Sequence, residues 1–190
     1  EAGCSTNWTL QRPLFPIRVH SHPFAANQTL HTSMAEIAVL GNFVVDIIGK
    51  PIDRLPERGR LAMIDTLETH PGGNGPNTSG ALGRLGADVA ALGRVGDDLY
   101  GRFLIEKLEG WGVDTRGVVR DPEAVTGLTL VAVDSTGERS FIHHYGANAD
   151  FSPADINWSL LAGVRHFHLS GYFVLPKLEG PAAASVLAEA

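Results

Sequence analysis

The sequence predicts an α/β fold, a mostly parallel sheet flanked by helices, with one small β layer attached. Three observations carry that prediction. From residue 34 onward, short apolar runs of strand length alternate with helical stretches. The alternation breaks once, where two strand-like runs flank a tight turn. Finally, 21 of the 22 glycines lie after residue 33, a density that suits many turns and close backbone approaches.

The elements follow in order. Ile37-Ala38-Val39-Leu40 reads as a short buried strand ending at Gly41, and residues 43–48 continue its apolar character. Residues 51–60 are a polar loop containing proline. Pro71-Gly72-Gly73-Asn74-Gly75-Pro76-Asn77 is rich in turn formers and opens a helix through Leu85, which Gly86 ends. Residues 89–92 form another buried strand. Asp97 and Asp98 start a helix through Leu108, their charge set against its positive end. Residues 126–133 alternate as a strand, residues 135–138 turn, and residues 140–145 return, so a hairpin occupies about 126–145. Ser152-Pro153-Ala154-Asp155 opens a short helix as a capping box. Residues 164–169 are the last strand, and residues 181–190 begin a helix that nothing caps, so the sequence reads as cut off.

Residues 1–33 differ from the rest, with one glycine, three prolines, three histidines and no sustained periodicity. They read as a disordered or non-native leader, with Met34 as the true start of a partial domain over 34–190. A formal net charge of −6 argues against a generally basic nucleic-acid binder. The single cysteine, Cys4, excludes an intrachain disulfide and a cysteine-based zinc site. No apolar run reaches the roughly 18 residues of a spanning helix, and none near the start serves as a signal-peptide core. The expectation is a cytoplasmic protein with no membrane and no nucleic-acid partner.

Candidate chemistry centres on Asp46. It interrupts the apolar run Phe43-Val44-Val45-Asp46-Ile47-Ile48, where a carboxylate needs a partner or a polar ligand. At the end of a parallel strand it would face the crevice in which α/β sheets bind ligands, and its two oxygens suit a vicinal diol. The alternative is a loop cap or a pair with Arg54 or Arg58. Gly72-Gly73 would let backbone approach a ligand, and Asn77 would present an amide one turn into the following helix. Equally, a glycine-rich turn can simply pack a helix on a sheet. The segment is no P-loop, since no Lys-Ser/Thr follows, and it lacks the dinucleotide G-x-G-x-x-G spacing. His143 and His144 alternate across a strand, and His166 with His168 supply only two ligands, so no metal site is assigned. Asp97 and Asp98 suit magnesium or a helix start equally well.

These segments together resemble the N-terminal portion of a ribokinase-like (PfkB) sugar kinase, from Ile37 to about Leu178. The Pro71-to-Asn77 turn followed by Ala81-Leu82-Gly83-Arg84-Leu85-Gly86 is similar to that family's first signature region. Gly93-Arg94-Val95-Gly96-Asp97-Asp98 with Gly101, Gly112-Val113-Asp114-Thr115, Thr126-Gly127 and Gly146-Ala147-Asn148 follow in the family's order. The resemblance implies that Asp46 binds sugar hydroxyls, that Gly72, Gly73 and Asn77 hold the sugar, and that the hairpin is a lid that also mediates dimerisation. Asn42, four residues before Asp46 as an asparagine is in adenosine kinases, is a further substrate-binding candidate by this resemblance, whereas many ribokinases carry theirs at the position of Val44. Tyr172 in Ser170-Gly171-Tyr172-Phe173 resembles a base-stacking aromatic of adenosine kinases.

The resemblance also implies ATP and Mg2+ as cofactors of the complete enzyme and a sugar as its substrate. The family's catalytic aspartate belongs to a Gly-Ala-Gly-Asp motif, which occurs nowhere in these residues, and the family's Asn-x-x-Glu motif is absent after the hairpin. The catalytic residue therefore falls beyond Ala190, and the isolated chain is expected to be inactive. The readings left open are the substrate-binding part of an ATP-dependent sugar kinase, a truncated sugar-binding or dimerising remnant, and part of a nucleoside kinase.

Overall fold

The computed structural model describes residues 35–190, so the leader and the start at Met34 lie outside the described residues. In chain order the elements begin with β1 (Ile37–Leu40), β2 (Val44–Lys50), β3 (Thr66–Gly72) and α1 (Asn74–Arg84). Next come β4 (Val89–Gly96), α2 (Leu99–Gly110), β5 (Val113–Asp121), β6 (Gly127–Val133) and β7 (Arg139–His144). A series of short 3-10 turns, β8 (His166–Leu169) and α3 (Pro181–Glu189) complete the described chain.

The strands form two four-stranded sheets. The first, ordered β5-β4-β1-β8, is parallel throughout. Its central strand β1 is apolar because both faces are covered. Val39 joins Val89, Ala91, Leu104, Ile105 and Leu108 on the side of α2. Ala38 and Leu40 join Phe151, Ile156, Leu175, Leu178 and Val186 on the opposite side, under the 3-10 turns and α3. Each fully buried leucine or phenylalanine in these layers contributes about 1.5–3 kcal/mol.

The second sheet, ordered β3-β2-β6-β7, is mixed. β2 runs antiparallel to β3 and parallel to β6, and β6 with β7 is the expected hairpin. The sequence reading limited this layer to residues 126–145, whereas β2 and β3 make up its other half. β3 had no signal because its five leading residues are exposed and mostly polar, so backbone pairing to β2 creates it. β5 was missed likewise, since Asp114, Thr115 and Arg116 interrupt its apolar pattern. Asp46 therefore stands within a strand of the second sheet and not at the end of a strand in the parallel one.

Two polar clusters fix the layers, one between the two sheets at Asp98 and Thr126 and one within the first sheet and its 3-10 cover at Arg94. Asp98 caps α2 by accepting the Gly101 N–H at 2.8 Å, as the helix-start reading expected. It also accepts the Thr126 N–H at 2.8 Å and the Thr126 hydroxyl at 2.7 Å. That hydroxyl in turn accepts the Gly96 N–H at 3.0 Å. Arg94 bridges Asp121 at 2.6 Å and Asp155 at 2.9 Å. Asp155 meanwhile closes the capping box on Ser152.

Burial pushes the Asp98 carboxyl up, but the hydrogen bonds from Thr126 and Gly101 outweigh it and hold the group below the usual aspartate value. A depressed native value means stabilisation that is full above the ordinary aspartate range and lost as pH falls through it. Asp98→Asn is accordingly expected to lower the melting temperature near neutral pH. The gap to wild type should close as pH falls below the ordinary aspartate range and through the depressed native value, and a gap that does not change with pH would contradict this assignment.

Candidate functional site

The site grows from the junction between the two sheets. β1 ends at Leu40, and Gly41, Asn42 and Phe43 lead directly into β2, so the chain crosses from one sheet to the other within three residues. Phe43 is fully buried at this crossing. Asn148, also buried, clamps it on both sides. The Asn148 Oδ1 accepts the Phe43 N–H at 2.8 Å, and its Nδ2 donates to the Phe43 carbonyl at 2.7 Å and to that of Tyr145 at 2.8 Å.

Asn42 is buried, and its side-chain Oδ1 accepts the N–H of Asn74 at 3.0 Å while its carbonyl accepts that of Gly75 at 3.1 Å. Two of the amides at the start of α1, which lack partners within the helix, are thereby satisfied. The Asn42 oxygen is thus engaged by the protein, and the residue fixes the Gly72–Gly73 turn against β2. Gly73 enters the helix with φ of 81°, a left-handed conformation in which a Cβ would also strike the Asn42 carbonyl.

Asp46 is half-buried on β2, opposite His70 of β3 and Thr129 of β6. Its carboxylate lies over Gly72, where any Cβ would collide with both oxygens. The glycine pair is therefore needed twice, at Gly72 for space and at Gly73 for conformation. Neither Arg54 nor Arg58 pairs with Asp46 among the described residues. Burial pushes the Asp46 carboxyl above its ordinary value, against the Thr129 hydroxyl hydrogen bond and the imidazoles of His143 and His70. His143 moves down through burial, with Asp46 opposing that shift.

Asp46, Gly72, Gly73 and Asn42 thus form one contiguous group. Asn77 stands on the first turn of α1, its N–H bonded to the Gly73 carbonyl at 3.2 Å and its side chain exposed, with no contact joining it to Asp46. Beside the Asn42–Asn74 contact is an open cleft of about 430 Å³, lined by Asn74, Ser170, Gly171, Tyr172, Phe173 and Val174. The Tyr172 hydroxyl accepts the Gly180 N–H at 2.5 Å. Among the described residues, no three His, Cys, Asp or Glu side chains gather to hold a metal ion, and no helix is long and apolar enough to cross a membrane.

Sequence reasoning missed Thr129, His143 and His70 as neighbours of Asp46. Strand alternation places each on a face, but only the pairing register brings them to the same row. What the arrangement can do is plain: a half-buried carboxylate, able only to accept hydrogen bonds when ionised, lies over the Gly72–Gly73 turn.

Comparison with known proteins gives this arrangement a context. The profile described as pfkB family carbohydrate kinase matches residues 34–190. Ribokinase of Bacillus subtilis is 33% identical over 121 residues, 64% of this chain and 41% of that protein. Fructokinase-2 of Oryza sativa subsp. japonica is 32% identical over 138 residues, 70% of this chain and 41% of that protein. Among solved structures, Arabidopsis thaliana ribokinase complexed with ribose and ATP superimposes with a TM-score of 0.63 at 28% identity, covering 72% of this chain and 45% of that one. The chain spans about two fifths of the length of the curated relatives it matches.

Proposed function

The chain belongs to the pfkB family of carbohydrate kinases, and from that premise we propose that it is the sugar-binding part of an ATP-dependent kinase that transfers the γ-phosphate to a sugar hydroxyl. The observation that carries the reading is the Asp46 carboxylate lying over Gly72. An ionised carboxylate accepts hydrogen bonds only, and its oxygens match two adjacent hydroxyls of a sugar. Gly72 and Gly73 let the ring approach the backbone, Asn42 holds that turn in place, and Asn77 offers an amide at the rim. The second sheet acts as the lid, extending the hairpin at 126–145 with β2 and β3, and Asn148 serves as its hinge clamp. Closing such a lid excludes water from the reacting centre.

ATP and Mg2+ belong to the complete enzyme in this proposal. On the lid face opposite Asp46, Leu67, Leu130 and Ile142 are exposed, which supports a second copy of the chain packing lid to lid. The cleft at Tyr172 and Phe173 favours a nucleoside as the second reading.

Calorimetric titration of the 190-residue chain with D-ribose, D-fructose and adenosine, paired with an assay for ADP release from ATP, tests the proposal. Binding of a free sugar without sugar-dependent ADP release is the expected outcome. Binding of adenosine alone would favour the nucleoside reading, and binding of none of the three would overturn the sugar site.

A further inference from the structure

Asn74-Gly75 is the one Asn-Gly pair in the sequence. In such a pair the backbone nitrogen that follows can attack the asparagine side chain, because glycine has no Cβ to hinder the approach. Asn74 is the first residue of α1, and its side chain is exposed. It also lines the open cleft beside Tyr172 and Phe173.

Packing explains why glycine is required at the second position. A Cβ on Gly75 would lie 2.7 Å from the Phe43 ring and 3.2 Å from the Asn42 carbonyl oxygen. Phe43 is fully buried, so the close-packed interior around it leaves that ring little room to yield. The same packing holds the pair unreactive. The Asn74 N–H is donated to Asn42 Oδ1 at 3.0 Å, and the Gly75 N–H to the Asn42 carbonyl at 3.1 Å. Pro76 has no N–H, and that of Asn77 goes to the Gly73 carbonyl at 3.2 Å. Every donor of the first turn is thus engaged, although Gly73 has no side chain with which to cap the helix. For attack, the Gly75 nitrogen must give up its hydrogen and the Asn74 backbone must leave its helical conformation. Asn42, 32 residues away, opposes both.

We propose that Asn74-Gly75 is a deamidation site, kept closed by Asn42 and opened when the first turn of α1 loosens. The Gly75 nitrogen bonds to Cγ of Asn74, the C–N bond of the side-chain amide breaks, and ammonia leaves with the hydrogen from Gly75. Water then opens the cyclic imide at either of its carbonyls. One opening gives aspartate. The other gives isoaspartate, in which the main chain runs through the former side chain. The net change is an amide and a water converted to a carboxylic acid and ammonia, with nothing oxidised or reduced. Either product sets a carboxylate beside the cleft, and isoaspartate also lengthens the main chain by one carbon next to the Gly72–Gly73 turn. The effect on sugar binding rests on the reading of that turn as a sugar-holding element, whereas the site itself does not.

Peptide mapping by mass spectrometry of the 190-residue chain, incubated at mildly alkaline pH, tests the proposal. Conversion at Asn74 is expected to be slow in the native chain and several-fold faster in urea. An unfolded chain that keeps Asn74 intact overturns the site, and equal native and unfolded rates overturn its protection. Asn42→Ala removes the Oδ1 acceptor and should speed conversion about tenfold in the folded chain, a factor matching one lost hydrogen bond. Asn42→Asp keeps the acceptor and should stay near the wild-type rate. A folded Asn42→Ala that converts no faster than wild type refutes the role of Asn42. Hydrogen exchange of the Asn74 and Gly75 amides in the wild-type chain decides even if that variant fails to fold. Slow exchange is expected, and free exchange overturns the clamp. The isoaspartyl chain should bind D-ribose and D-fructose more weakly than the unconverted one. Undiminished binding there would remove the turn from the sugar site and leave the deamidation site standing.

Discussion

Asp46→Ala is expected to abolish sugar binding while leaving the fold intact. Each hydrogen bond from a hydroxyl to a buried charged group is worth about 1.5–3 kcal/mol. Losing two lowers affinity by a factor on the order of 10²–10⁴. The stability prediction has the opposite sign. Burial holds the Asp46 carboxyl above its ordinary value, so its ionised form opposes folding near neutral pH, and that cost fades as pH falls through the carboxyl range. Alanine at this position should therefore preserve or raise the melting temperature. A group that costs stability and is essential for binding is one kept for function. Gly72→Ala should reproduce the binding defect from the other side of the contact, since its methyl group takes the space of the carboxylate. Calorimetry with D-ribose and D-fructose and thermal melts of the two variants check both halves. Wild-type affinity in Asp46→Ala would remove the carboxylate from the site.

Asn148→Leu is expected to cause the largest loss of stability. Leucine is close in shape to asparagine but can neither accept from the Phe43 amide nor donate to the carbonyls of Phe43 and Tyr145. Each buried backbone group left without a partner costs about 1–3 kcal/mol. The Tyr145 carbonyl keeps the backbone N–H of residue 148 at 3.3 Å, so the two Phe43 groups are the ones orphaned. Together they come to about 2 kcal/mol or more, which at this chain length lowers the melting temperature by roughly 5 °C or more. The crossing between the sheets sits at this clamp, so the second sheet should loosen first. Circular dichroism melts and amide hydrogen exchange across β2 and β6 measure the effect. A melt within a degree or two of wild type would show that Asn148 does not hold the crossing.

What could be read from the sequence depended on whether its cause was local. β1, α1 and α2 were legible because apolar runs, a positive-φ glycine and an acidic cap lie within a few residues of what they specify. The hairpin and the capping box at Ser152 were legible for the same reason. β3 was not, because Thr66, Glu68 and His70 carry no apolar signal, and the strand exists through its partner β2. The same non-local pairing moved β2 out of the parallel sheet. In the site, Asp46 stood out as a charge within an apolar run, and the Gly72–Gly73 pair as a place for close approach. Asn42 was expected to face a ligand, yet its oxygen serves the first amides of α1, a contact set by the packing of two segments 32 residues apart. Thr129 and His143 could be assigned to strands but not to the row of Asp46, because a shift of one residue in register would have turned each to the other face.

The most direct test of the central claim is a residue-resolved NMR titration of the isotope-labelled chain with D-ribose and D-fructose. The account predicts saturable shifts concentrated at Asp46, Gly72 and Gly73, spreading to Thr129 and His143, and absent in Asp46→Ala. Shifts confined to the cleft at Tyr172 and Phe173, or a titration that Asp46→Ala leaves unchanged, would contradict it.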